Sequence, residues 1–114
     1  MGYDCYFIPT SFHNEDEDRI LEIIVTYRYI YDRFSITYNY DRYKDIWHVS
    51  DYNKKTGQEI AENLKRVLPT IEVVEDNLYY NNNLYKTNIL GFKRILFDLL
   101  KCAENNHNMI MVVL

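Results

Sequence analysis

The C-terminal quarter of this 114-residue chain limits its architecture most. From Asn88 to Glu104, the residues Ile89, Phe92, Leu96, Leu99, Leu100 and Ala103 recur at three- and four-residue spacing, the period of one helix face. Leu90, Ile95, Phe97 and Cys102 widen that stripe until Arg94, Asp98 and Lys101 are almost its only polar edge. A helix this broadly apolar is expected at the centre of a fold. After a turn over Asn105 to Asn108, Met109 to Leu114 is an unbroken apolar run. Such a run is too short for a helix of its own and reads as a strand covered on both faces.

Upstream, Thr56 precedes Glu59 by three residues, a capping box that opens a helix. That helix should bury Ile60, Leu64 and Val67, turn Glu62 and Arg66 outward, and stop near Pro69. Thr70 to Lys86 is ambiguous. Ile71, Val74 and Leu78 have helical spacing, Thr70 to Glu75 also suits a strand, and Asn81 to Asn83 reads as a loop.

Tyr3 to Ile8 alternates and meets Pro9, which predicts a strand followed by a loop to Asn14. Glu15 to Asp18 then stands where a helix begins, and acids in a first turn suit the positive end of the helix dipole. Ile20, Ile23, Ile24, Tyr27, Ile30, Tyr31 and Phe34 form one stripe, while Asp18, Glu22, Val25, Tyr29 and Asp32 share the other face. An alternating strand through Val25, Tyr27, Tyr29 and Tyr31 is the competing reading. Ile36 to Tyr40 alternates as a second strand, and Asp41 to Val49 should make a helical turn with Tyr43, Ile46 and Trp47 inward. The expected fold is α+β: one domain over residues 1–114, with a small three-stranded sheet and three or four helices packed mainly on one face.

Composition narrows the function classes. The net charge of −4 equals the four acids at Glu15 to Asp18, since 17 acids less those four match the 13 bases. Lys and Arg are dispersed, so direct nucleic-acid binding and membrane-surface binding are not expected. No apolar run reaches the ~20 residues of a membrane span. Cys5 and Cys102 form no C-x-x-C pair, and both read as packing thiols in a reducing cytoplasm.

No enzyme signature stands out. His13, His48 and His107 are isolated, so no metal centre is expected, and the acidic run lacks the glycine of a calcium loop. Three separated glycines give no phosphate loop, and there is no G-x-S-x-G elbow. No cofactor and no catalytic residue is assigned, although Asp4, Asp41 and His48 are the available acid–base groups. Tyrosine is the remaining signal. Tyr38, Asn39 and Tyr40, with Trp47 downstream, would set aromatic faces and an amide around one strand end. Against this, Asn, Tyr, Ile and Lys, all written with A/T-rich codons, fill 43 of 114 positions.

The segments MGYDCYFI, ITYNYDRYKDIWHV, TGQEIAENLKRVL and KCAENNHNMIMVVL are similar to a group of small bacteriophage-type proteins. These start M-[GA]-Y-D, carry a T-Y-N strand before a short helix, and end helix–turn–strand. The resemblance covers most of residues 1–9 and 36–114, with Gly2, Tyr3, Asp4, Thr37, Tyr38 and Asn39 at matching positions. Residues 10–35 look like an insertion. Where the group has an N-G-W-G-like segment, this chain has only Asn88 and Gly91. The resemblance implies a viral origin and no defined activity.

The expectation is a non-enzymatic accessory protein of the host-cell cytoplasm that binds a host protein or a small signalling molecule, as a counter-defence protein would. Contacts would come from Val25 and Tyr29 beside the acidic helix start, or from Asp4, Tyr38, Asn39, Tyr40, Trp47 and His48. A homodimer is left open. Two rivals stand beside it: a small nucleotide- or nucleic-acid-processing enzyme using Asp4, Asp41 and His48, and an immunity-type inhibitor that plugs a toxin with its acidic face.

Overall fold

A computed structural model describes residues 2–73, 78–80, 83–85 and 89–114. Strand β1 (Gly2–Pro9) is central in a three-stranded antiparallel sheet, flanked by β2 (Arg33–Thr37) and by β5 (Met109–Val113). Helix α1 (Glu17–Tyr27) joins β1 to β2, and helices α2 (Gly57–Val67) and α3 (Ile89–Asn105) precede β5. Two short strands, β3 (Leu78–Tyr80) and β4 (Asn83–Tyr85), pair with each other as a separate ribbon. The architecture is α+β.

Alternation divides the sheet into two faces. Cys5, Phe7, Ile36 and Met111 point one way, into a core shared with Ile60 and Leu64 of α2 and Leu96 and Leu99 of α3. Ile8, Ile110 and Val112 point the other way and are covered by Ile20 and Ile24 of α1. The terminal strand is therefore sealed on both sides, and its unbroken apolar run follows from that. The predicted α3 stripe is buried along its length, whereas Leu90 and Phe97 on its flanks are exposed.

Both internal caps form. Asp16 Oδ1 accepts from the Arg19 N–H at 2.8 Å and starts α1. Thr56 and Glu59 exchange the reciprocal bonds of the capping box and start α2, and α2 gives way to a 3-10 turn at Leu68–Thr70 that contains Pro69.

Three boundaries differ from the sequence reading. Helix α1 stops at Tyr27, so Tyr29 and Ile30 lie in the following turn and neither the longer helix nor the alternative strand forms there. The cause is sheet pairing: Arg33 to Thr37 must lie along β1, and the Asp32 carbonyl already accepts the Phe7 N–H at 3.1 Å. The second strand accordingly starts at Arg33 and ends at Thr37, opposite Gly2. Tyr38 to Tyr43 then coils into a 3-10 helix. In the connection that follows, Tyr43 and Trp47 are buried as expected, but Ile46 is exposed. In the ambiguous stretch, Ile71 is buried in irregular backbone, and Asn83 belongs to a strand rather than a loop. Val74, Glu75, Asn81 and Asn82 lie outside the described residues.

Candidate functional site

Two regions hold the residues singled out from the sequence. The first is a polar trio between β1 and the connection to α2. Tyr3 projects from β1 toward the α3 side of the sheet, and the 3-10 turn after Thr37 swings Asp41 back over it. The Tyr3 hydroxyl donates to the Asp41 carboxylate, at 2.9 Å from Oδ1 and 3.0 Å from Oδ2. It also lies 3.2 Å from His48 Nε2. With its proton given to Asp41, the phenol oxygen accepts from the Nε2–H tautomer of His48. Tyr38 and His48 both meet the Tyr3 ring edge-on, with centroids at 4.9 and 5.5 Å.

The Tyr3 hydroxyl ties the trio together. Burial first, then the hydrogen bond to Asp41, raises the Tyr3 pKa above its ordinary value of 10.0, so the phenol stays a donor near neutrality. The cleft beside it offers about 10 Å³, room for about one water. A general acid–base pair needs its proton-transfer atom within reach of a substrate, and here His48 Nε2 is turned to the phenol.

Of the other residues expected around this strand end, Tyr40 and Trp47 line the cleft with Tyr3, Asp41 and His48, whereas Tyr38 and Asn39 do not. Tyr38 is half exposed against Tyr3, and Asn39 is exposed. Tyr40 turns inward, with its ring 6.0 Å from that of Phe92. Trp47 is buried, stacked on Tyr52 at 4.5 Å, and donates from Nε1 to Asn63 Oδ1 at 2.8 Å. Asp4 is on the opposite face of β1 from Tyr3. It accepts from Ser35 Oγ at 2.8 Å and from Arg33 at 3.0 Å, and the Ser35 bond, then Arg33, holds its carboxyl below the usual range. The structure thus joins Asp41 to His48 and separates Asp4 from both. Tyr3, the bridging member, carried no local signal of that role, since its partners are 38 and 45 residues away.

The second region is the exposed side of α1. Val25 is 69% exposed and Tyr29 88%, beside Ile30 at 74% and Leu21 at 43%. Tyr27 and Ile30 were expected on the inward stripe, but the early end of the helix leaves Tyr27 half exposed and Ile30 mostly so. Arg28 lies 4.8 Å from the centre of the Tyr29 ring and donates to its hydroxyl at 2.9 Å. Leu21 also lines a groove of about 190 Å³ between the start of α1 and the end of β5, with Ile20 and Val112 at its floor and Glu17 and Lys54 at its edge. Glu15 to Asp18 and Glu22 are all exposed. The region is an apolar surface with one recess and the acids at its Leu21 end, and a second recess with Arg28 and Arg33 around Tyr29 at the other.

Among the described residues, no three His, Cys, Asp or Glu side chains are grouped to hold a metal ion. Nor is any described helix long and apolar enough to cross a membrane. Both cysteines are free thiols, Cys5 buried and Cys102 partly so. Burial pushes the Cys5 pKa up to about 12 and that of Cys102 to about 11, which suits packing and not nucleophilic chemistry. Comparison of the chain with protein-family models, with curated proteins and with solved structures finds no match.

Proposed function

We propose that this chain is a non-catalytic accessory protein of viral origin that binds a host protein through the exposed side of α1, in a counter-defence role. The observation that carries the reading is the exposure of Leu21 and Val25, one turn apart on α1, and of Tyr29 and Ile30 just after it, with a recess at Leu21. Isolated exposed apolar residues are ordinary, but a group with a large aromatic and an adjoining pocket has the make-up of an interface centre. The acidic border from Glu15 to Asp18 and Glu22 favours a partner with basic residues around an apolar knob. A protein partner is preferred to a small signalling molecule because the cleft beside Tyr3, Asp41 and His48 has room for about one water. The viral origin rests on the similarity to bacteriophage-type proteins.

The test is capture of a partner from host extract, repeated with Val25→Ala and Tyr29→Ser and with Glu15 to Asp18 reversed to lysine. Loss of one and the same partner in the apolar variants supports the reading, and weakening by the charge reversal assigns the acidic border. Retention of every captured protein by both apolar variants refutes it. The proximity of His48 Nε2 to Asp41 Oδ1, at 3.7 Å and bridged by the Tyr3 hydroxyl, favours one rival, a nucleotide-processing enzyme. Turnover of a nucleotide panel that disappears in His48→Ala would establish that rival instead.

A further inference from the structure

The two outer edges of the sheet are finished differently. Along β5, the edge away from β1 is occupied by the chain that leads into α2. The Lys54 N–H donates to the Met111 carbonyl at 2.6 Å, and the Met111 N–H donates to the Lys55 carbonyl at 2.9 Å. Val113 N–H is taken by Asn53 Oδ1 at 2.9 Å, and Thr56 bridges Ile110. Among the described residues, nothing comparable covers β2. In the β1–β2 register, Phe7 and Asp32 are bonded through the Phe7 N–H, so Cys5–Phe34 and Tyr3–Ile36 are the hydrogen-bonded pairs that follow. The N–H and C=O groups of Arg33 and Ser35 and the N–H of Thr37 therefore point outward with no backbone partner among the described residues, while the Thr37 carbonyl opens the 3-10 helix that follows. The edge carries no proline, lysine or bulge of the kind that guards such strands.

We infer that β2 is a homodimer edge, pairing antiparallel with β2 of a second copy about a two-fold axis at Ser35. The strand is self-complementary in three respects. Its outward groups are spaced symmetrically around the central residue, so Arg33 meets Thr37 of the second copy, Ser35 meets its own equivalent, and the outward N–H groups of all three residues find acceptors, the Thr37 carbonyl through its second lone pair. Each Arg33 is already neutralised by Asp4 of its own chain at 3.0 Å, so two such edges approach without like-charge repulsion. On the core face, Phe34, which is half-buried, comes opposite Ile36 and extends the existing apolar cluster across the junction. The product is a continuous six-stranded sheet. Its two-fold axis is perpendicular to the sheet, so both copies of α1 lie on one face. The inference does not rest on the host-protein reading above, although Tyr29 and Arg33 line one recess, because its premises are the strand's own backbone groups and register.

Light scattering on the full chain measures the mass directly, and position-specific cross-linking measures the register. In a Cys102→Ser background, Ser35→Cys should oxidise to a disulfide-linked dimer, because residues facing each other in a hydrogen-bonded antiparallel pair have Cα atoms about 5.5 Å apart, within disulfide reach. Arg33→Cys and Thr37→Cys should each fail alone and cross-link when the two chains are mixed. A two-chain mass with this pattern supports the inference. A one-chain mass, or cross-linking at Thr37→Cys alone equal to that at Ser35→Cys, overturns it.

Discussion

Val25 and Ile24 are adjacent on α1, yet a truncation to alanine should act on them in opposite ways. Ile24 is buried against the sheet, so Ile24→Ala leaves a cavity and should cost about 2–5 kcal/mol of stability. Val25 is 69% exposed in the free chain, and removing its methyl groups leaves no cavity. Alanine is also the better helix former, so Val25→Ala should melt at or slightly above the wild-type temperature. Binding should respond in the reverse sense. Two carbons at about 0.8 kcal/mol each, scaled by the 69% of the side chain open to a partner, give about 1.1 kcal/mol of lost binding energy. That corresponds to about a sixfold weaker complex. The assay is thermal unfolding of both variants by circular dichroism, together with titration of the captured partner. Unchanged affinity in Val25→Ala, or a loss of stability resembling that of Ile24→Ala, would refute the assignment of this face.

Tyr3→Phe removes the hydroxyl that joins Asp41 and His48. Because the Asp41 side chain is 40% exposed, the expected loss is about 1 kcal/mol, below the range for a fully buried charged hydrogen bond. The Tyr3 pKa is raised in the folded chain. The phenol's contribution is therefore complete below its ordinary value of 10.0 and is lost as pH rises through the folded value. Chemical unfolding of both proteins from neutral to alkaline pH should show the gap closing, and a widening gap would contradict it. A Cβ at Gly57 would run into the carbonyl oxygens of Asn106 and Ala103, so Gly57→Ala should destabilise by about 1–3 kcal/mol despite its better helix propensity; a higher melting temperature would contradict this packing. With the Cys102 pKa at about 11, its alkylation near pH 8 should be on the order of a hundredfold slower than that of a free thiol. Rapid labelling followed by mass spectrometry would contradict this.

Local rules carried the parts of the fold that are decided locally. The Thr56–Glu59 box, the acidic start of α1 and the stripe of α3 each lie within a few turns of chain, and each forms as expected. The run Met109 to Val113 was legible because a strand sealed on two faces has no polar alternation to hide its burial. The errors lie where a distant segment decides. Tyr27 and Ile30 have helical spacing, but the end of α1 is set by the need to lay Arg33 to Thr37 against β1. Tyr38 to Tyr40 alternate like a strand, but the described pairing with β1 ends at Thr37 opposite Gly2, and they turn into a 3-10 helix that carries Asp41 back to Tyr3. The candidate site divides in the same way. The exposure of Val25 followed from its place on the helix, whereas the joining of Tyr3 to Asp41 and His48 depends on a chain reversal that no nearby residue announces.

The central claim is that the chain works through the α1 surface and not through the cleft beside Tyr3. Site-specific photo-cross-linking in host cells tests it most directly, with a photoreactive phenylalanine analogue placed at Tyr29 in one protein and at Asn39, near the cleft, in another. The account predicts a discrete adduct with one host protein from position 29, none from position 39, and loss of the adduct when Val25→Ala is added. An adduct from position 39 alone would contradict it.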